Sequence, residues 1–379
     1  MSAGETTVDH VDEYQLINCI ATGTHSQIWE VAESGGEHFA MKLLLPDAFR
    51  DPAQRRVLKH EARIAKMLRH PGLIRFHKVV VDKHHAYFIM DHFRAPNLKQ
   101  QIQSDLPAVQ LRFRKIVEST CLALQHMHDL GWAHRDVKPD NILLNRNSEI
   151  RLIDFSLALR IASGLGKLLA GKSKVIQGTR TYIAPETIKR ESSTARTDMY
   201  SLGVTFFEIL TGRPPFLANS PNDLLRKHLG EAPPAPSHVN PNVTPEADRA
   251  VLRMLEKKPD KRFRDLNEVF SEFRNIQPFK QEVESKVMRQ AAEDAREQEA
   301  ASLGVRISSR GDAFRTQQQQ DDVEAVPEAA PPIEPPPARD ANSRTPERPR
   351  PRPRPASVPV PPAPDHDDLP FMDELPEIN

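Results

Sequence analysis

The chain has 379 residues, and its 52 basic and 52 acidic side chains leave a formal net charge of zero, which argues against bulk attraction to nucleic acid or a lipid surface. No apolar run approaches the roughly 20 residues that span a bilayer, and the N-terminus lacks the basic-then-apolar order of a signal peptide. The two cysteines, Cys19 and Cys121, have no metal-ligand spacing, so a cytoplasmic chain with reduced thiols is expected.

Composition divides the chain. A short extension (1–13) precedes a stretch, 14–276, in which apolar strands alternate with amphipathic runs. Residues 277–305 are charged and Ala-rich and read as an exposed helix. Residues 306–379 hold a glutamine run and about half of the chain's 34 prolines. Such a tail buries too little apolar surface to offset its ordering entropy, so disorder is expected there.

The first third reads as strands. "YQLINCIATGTHSQIWEVAESGGEHFAMKLLL" has short β-rich runs broken at Gly23 and at the hairpin signal Gly35-Gly36. The period of two puts Lys42 on the strand face of Ala40 and Leu44. A lysine there either reaches water at an edge or is held by anions. The next run, "DPAQRRVLKHEARIAKMLRHPG", opens with an Asp51 cap and a first-turn Pro52. Val57, Ile64 and Leu68 are expected to share its apolar face with Glu61. A carboxylate in such a stripe is either solvated at its edge or paired, and Lys42 is the natural partner. The turn "IATGTHSQI" could present backbone N–H groups to phosphate or be an ordinary hairpin.

Further on, "LRFRKIVESTCLALQHMHDLG" reads as a helix with Ile116, Leu124 and Met127 inward and Gly131 as its stop. The loop "HRDVKPDN" (134–141) crowds acids, cations and an amide between apolar flanks. "EIRLIDFSLA" reads as a strand ending at Asp154, so Asp136, Asn141 and Asp154 could converge on a hard, oxygen-seeking cation. "TDMYSLGVTFFEILTGRPPF" is apolar from Leu202 to Leu210 and reads as a buried helix stopped at Gly212.

With "FAMK", Glu61, "HRDVKPDN", "IDFS", "GTRTYIAPE", "TDMYSLG" and "KPDKRF" in this order and spacing, the stretch 14–276 resembles the protein-kinase superfamily, in its eukaryotic-type serine/threonine branch. The resemblance implies a bilobal α+β fold, a small β-rich lobe over a larger helical lobe, with ATP and Mg2+ in the cleft between them and Ser/Thr-bearing protein substrates. It implies that Asp136 accepts the proton of the substrate hydroxyl, that Lys138 offsets charge on the transferring group, and that Asn141 and Asp154 hold magnesium. Lys42, held by Glu61, would pair with the α- and β-phosphates. The turn residues Ala21, Thr22, Gly23, Thr24, His25, Ser26 and Gln27 would cover the phosphates. Ile20, Ile28, Ala40 and Leu143 would sandwich adenine, with Met90 behind it, Asp91 to Phe93 as hinge, and Asn97 at the ribose. His134 would buttress its loop. Glu186 and Arg262 would brace the substrate platform, which includes Thr181. Thr179 would contact the catalytic loop. The segment from Asp154 to Glu186 carries Arg160, Lys167, Lys172, Lys174 and Arg180 with no acid between, so its cations would repel Arg135, and Ser173 is expected to be an activating phosphorylation site; the family's commonest site aligns nearest Val175.

Three positions depart from the family pattern. Ala21 and Ser26 stand where glycines are usual, and Ser156 ends the metal-binding triplet in place of glycine, which limits backbone freedom at both places. A catalytically silent scaffold and a small-molecule phosphotransferase are the competing readings. "GTRTYIAPE" and "KPDKRF" favour a protein substrate over a small one. Lys138 and Thr179 point to the Ser/Thr rather than the tyrosine branch. Cys19 is either a redox switch or a plain strand cysteine. In the tail, "RPRPRPRP" (348–355) and "DDLPFMDELPEIN" are either docking peptides or a solubilising extension.

Overall fold

The computed structural model describes residues 10–161 and 179–283. The expected tail, most of the charged 277–305 segment, and Ser173 lie outside the described residues.

The N-terminal part is a six-stranded antiparallel sheet in the order β1-β2-β3-β4-β6-β5. Its strands are β1 (His10–Val11), β2 (Tyr14–Thr22), β3 (Ser26–Ala32), β4 (His38–Leu44), β5 (Phe76–Val81) and β6 (Ala86–Asp91). Alternation gives the sheet two buried faces. Val31, Met41, Tyr87 and Ile89 pack on one. Leu44, Ala86 and Phe88 pack on the other against α1 (Pro46–Arg50) and α2 (Pro52–Met67).

Helix α2 begins as the sequence indicates. Asp51 caps it by accepting the Ala53 N–H at 2.7 Å, and Pro52 fills the first turn. Its inward face holds Glu61, Ile64 and Leu68 as expected, but not Val57. Leu58, Glu61, Ala62, Ile64 and Ala65 are buried, whereas Val57 is 41% exposed. The buried stripe runs through 58, 61, 62 and 65, the spacing of one helical face. Val57 lies one residue, about 100° of rotation, off that face.

The helical part contains α3 (Leu98–Leu111), α4 (Phe113–Asp129), α5 (Pro185–Ile188), α6 (Ala195–Thr211), α7 (Pro221–Gly230), α8 (Pro236–Val239), α9 (Pro245–Met254) and α10 (Leu266–Asn275). Helix α6 is buried from Thr197 to Leu210 and forms the centre of this core. It stops at Gly212, whose φ of 83° is costly for any residue with a Cβ, and whose added Cβ would stand 3.0 Å from Leu106.

Two short ladders frame the central loop. β7 (Trp132–Ala133) pairs with β10 (Leu159–Arg160), and β8 (Ile142–Leu144) pairs with β9 (Ile150–Leu152). The strand expected to reach Asp154 ends two residues earlier, because Asp154 has a φ of 65° that no strand accommodates.

The packed body also continues past 276. Thr244 donates to the Gln277 carbonyl at 2.6 Å, the Lys280 N–H reaches the Asn242 carbonyl at 2.7 Å, and Phe279 is 7% exposed beside Val243. Residues 277–283 are not helical. The packed body thus runs beyond the composition break at 276, with Phe279 anchoring an otherwise polar run.

Candidate active site

The loop from His134 to Asn141 hangs between β7 and β8. Its anchor is Asp198, buried at the start of α6. One carboxylate oxygen accepts the His134 N–H at 2.8 Å, the other accepts the Arg135 N–H at 2.7 Å, and His128 Nε2 lies 2.8 Å away. Burial disfavours this anion, but the bonds from His128 and the loop outweigh it and hold its pKa below the ordinary aspartate value. Arg135 takes a φ of 69° here. Left-handed geometry outside glycine costs roughly 1–3 kcal/mol and persists where the surroundings enforce it. His134 is fully buried, stacks edge-on to Phe155, and receives the Asp136 N–H on Nδ1 at 3.3 Å. It buttresses the loop, as expected.

Asp136 stands at the centre of a polar group. Lys138 Nζ is 2.7 Å from its Oδ2, and the Asn141 amide nitrogen donates to the same oxygen at 3.0 Å. Lys138 also donates to the Thr179 hydroxyl at 2.6 Å, while the Thr179 N–H approaches Asp136 Oδ1 at 3.3 Å. Thr179 is thus tied to the loop that carries Asp136. With its amide nitrogen turned to Asp136, Asn141 keeps Oδ1 as its atom for a cation.

Lys42 joins the two lobes. It sits 2.7 Å from Glu61 on α2 and 3.6 Å from Asp154, so the paired reading of Glu61 holds and the solvated one does not. Burial opposes the ammonium charge, and the two carboxylates outweigh burial and hold the Lys42 pKa above the usual lysine value. Burial also pushes Asp154 up, but Lys42 and the Ser156 N–H and hydroxyl bring it down to about 2. The Lys42 and Ser156 contacts thus favour the Asp154 anion, the form that could bind a metal. An Asn oxygen and a carboxylate beside a fixed lysine are donors of the kind that could hold a hard cation bound together with phosphate.

Ile28 on β3 pairs directly with Lys42, and Ala40 on β4 pairs with Met90 on β6, so these residues share the cleft side of the sheet. Asp91 ends β6, and Phe93 follows in the hinge with Arg151 over its ring. Leu143 on β8 forms an isolated bridge with Asn97, and both belong to the helical part. Asn97 has a different first task from the expected one. Its Oδ1 caps α3 by accepting the Gln100 N–H at 2.8 Å, in a reciprocal capping box, which leaves its amide nitrogen for a ribose. Ile20 on β2 is 48% exposed. Ala21 pairs with Ile28 and Thr22 with Gln27, and Thr24 and His25 fill the turn.

The missing glycines cost nothing in this conformation. Among the described residues, the non-glycine residues with positive φ are Asp12, Arg135, Ser148, Asp154 and Arg190, so Ala21, Ser26 and Ser156 are unstrained. A Cβ at Gly23 would meet the Ser26 carbonyl at an ordinary 3.5 Å.

Arg262 and Glu186 form the expected brace as a bidentate pair at 2.8 and 2.9 Å, both side chains at most 3% exposed. Asp198 was missed by the sequence reading. The reasoning applied to Glu61 would have found it, since a carboxylate opening an apolar helix needs fixed donors.

A family model described as protein kinase domain matches residues 14–272. The chain belongs to the protein kinase family. Serine/threonine-protein kinase PknB of Mycolicibacterium smegmatis is 34% identical over 275 residues, which cover 70% of this chain and 43% of that protein. A probable serine/threonine-protein kinase of Streptomyces coelicolor is 32% identical over 261 residues, 68% of this chain and 38% of the relative. PknB of Mycobacterium tuberculosis H37Rv is 31% identical over 271 residues, with shares of 70% and 43%. The chain thus matches less than half the length of these relatives. Among the described residues no helix is long and apolar enough to cross a membrane.

Proposed function

We propose that this chain is a protein-serine/threonine kinase that transfers the γ-phosphoryl group of ATP to Ser/Thr hydroxyls of protein substrates, with magnesium. The observation that carries the reading is the joined set Glu61–Lys42–Asp154 beside Asp136–Lys138–Thr179. A silent scaffold has no need to hold these groups in mutual reach. Magnesium on Asn141 and Asp154 would neutralise phosphate charge. Lys42 supplies a fixed cation to the α- and β-phosphates. Asp136 orients the acceptor hydroxyl and takes its proton. Lys138, already bridging Asp136 to Thr179, adds positive charge where negative charge is transferred. Little is asked of covalent chemistry and much of positioning.

The domain spans 14 to about 283 in this reading, and the Pro-rich tail carries docking peptides for partners. The location in this reading is cytoplasmic. Arg135 supports regulation by phosphate. Its Nε is buried with no hydrogen-bond partner among the described residues, and its guanidinium makes one long bond, 3.4 Å, to the Leu157 carbonyl. A phosphoserine at Ser173 would supply the anion. Transfer of label from γ-labelled ATP to a generic basic protein, followed by phosphoamino-acid analysis, tests the proposal. Phosphoserine or phosphothreonine supports it, and no transfer in the presence of magnesium refutes it.

A further inference from the structure

A cluster outside the catalytic group lies at the outer end of the same sheet face. Glu30 comes from β3, His38 from the start of β4, and His92 directly follows β6. Strand register brings them together. Glu30 pairs with Ala40, Ala32 with His38, and Phe39 with Asp91, so His92 falls one step further on, beside His38. The period of two sends Glu30, His38 and His92 to the face that carries Ala40.

The ligand atoms converge. His38 Nδ1 is 2.9 Å and His92 Nδ1 is 3.4 Å from Glu30 Oε1, and one ligand atom from each of the three residues lies within 4.8 Å of the other two. Ligands of a tetrahedral ion at about 2.0–2.1 Å stand roughly 3.3 Å apart, so two of the three spacings already match. A second observation singles the cluster out. The His92 side chain is 90% buried, yet its Nδ1 has no hydrogen-bond partner among the described residues, and it is aimed at Glu30. Burial, with Arg94 and His38 adding to it against the pull of Glu30, holds the His92 pKa below the ordinary histidine value. The cluster also already hosts a positive charge. Arg94 Nη2 sits 2.7 Å from Glu30 Oε1 and 3.4 Å from His38 Nδ1, on a side chain that is 68% exposed and free to swing out.

We propose that Glu30, His38 and His92 form a binding site for a zinc-type divalent transition-metal ion at the mouth of the cleft. Two imidazoles and one carboxylate suit Zn2+ rather than Mg2+ or Ca2+, which take oxygen ligands. Three protein ligands leave a fourth position to water. The ion ties β3 and β4 to the first turn of the hinge. Arg94 is the competitor that the ion displaces.

The test is calorimetric titration of the nucleotide-free full-length chain with Zn2+ in excess Mg2+ and reductant. One equivalent is expected to bind. Affinity should fall at least about tenfold in His38→Ala and in Glu30→Gln. It should rise in Arg94→Ala, where the competing cation is gone, a sign that stray surface binding would not give. Melting curves check that the variants fold. Co2+ added to the unaltered chain gives an independent readout that needs no variant and no kinase activity. Visible d–d bands without thiolate-to-cobalt charge transfer match a His, His, Glu set. Zinc affinity unchanged in both ligand variants, no bound equivalent, or a thiolate band that places the metal on Cys19 would each overturn the proposal.

Discussion

The Arg262–Glu186 pair is asymmetric, and the asymmetry predicts unequal mutational costs. Arg262 also donates to the carbonyls of Glu256, Arg196 and Lys257, and its guanidinium lies over the Tyr200 ring. Among the described residues, Arg262 is the only hydrogen-bond donor recorded for the Glu186 carboxylate. Arg262→Met thus strands a buried anion, which costs about 3–5 kcal/mol. At roughly 2–4 °C per kcal/mol, the melting temperature should drop by roughly 6–20 °C. Glu186→Gln leaves the cation three carbonyls and an amide oxygen, and loses about 1.5–3 kcal/mol, one charge-assisted bond. The double variant should cost clearly less than the sum, because no lone charge remains. Thermal unfolding by circular dichroism on the four proteins reads all three numbers. A Glu186→Gln cost equal to or above that of Arg262→Met, or strict additivity, would refute the reasoning.

Burial, with Lys257 nearby, lowers the His228 pKa to about 4. The folded state therefore favours the neutral ring. Its stabilisation is complete above the unfolded value near 6.5 and declines as pH falls towards 4, by about 3 kcal/mol in all. Denaturant titrations at pH 7 and pH 4.5 should show a stability loss that shrinks in His228→Gln; an identical loss in the variant contradicts the assignment. Ending the chain after Ile276 rather than after Val283 removes Phe279 and the bonds to Thr244 and Asn242. It should lower stability by about 2–4 kcal/mol, and equal melting temperatures would show that these contacts are idle. Mass spectrometry after incubation with ATP and magnesium should find phosphate on Ser173, and Ser173→Ala should reduce the transfer rate. Full activity without that phosphate would exclude the Arg135 switch.

Much of the site could be read before the fold. A carboxylate inside an apolar helical stripe and a lysine on a strand face could each be solvated or paired, and Lys42 and Glu61 meet at 2.7 Å. What escaped depended on distances the chain order hides. Val57 looked as apolar as Leu58, and only packing against the sheet decides which of two adjacent residues turns inward. Asp198 serves loop residues more than sixty positions away. Phe279 is a single aromatic in a polar run, too weak a signal to move a boundary drawn by composition. His92 lies far along the chain from the Glu30–His38 hairpin, and strand register alone makes the three neighbours.

The most direct test of the central claim is Asp136→Asn, measured for phosphoryl transfer and nucleotide affinity together. Asp136 bonds Lys138, Asn141 and Thr179 and is assigned to the acceptor hydroxyl, not to ATP. Transfer to protein serine and threonine should fall about 10²- to 10⁴-fold, while ATP affinity in the presence of magnesium stays within a few-fold of the unaltered chain. Near-normal transfer in this variant would contradict the account.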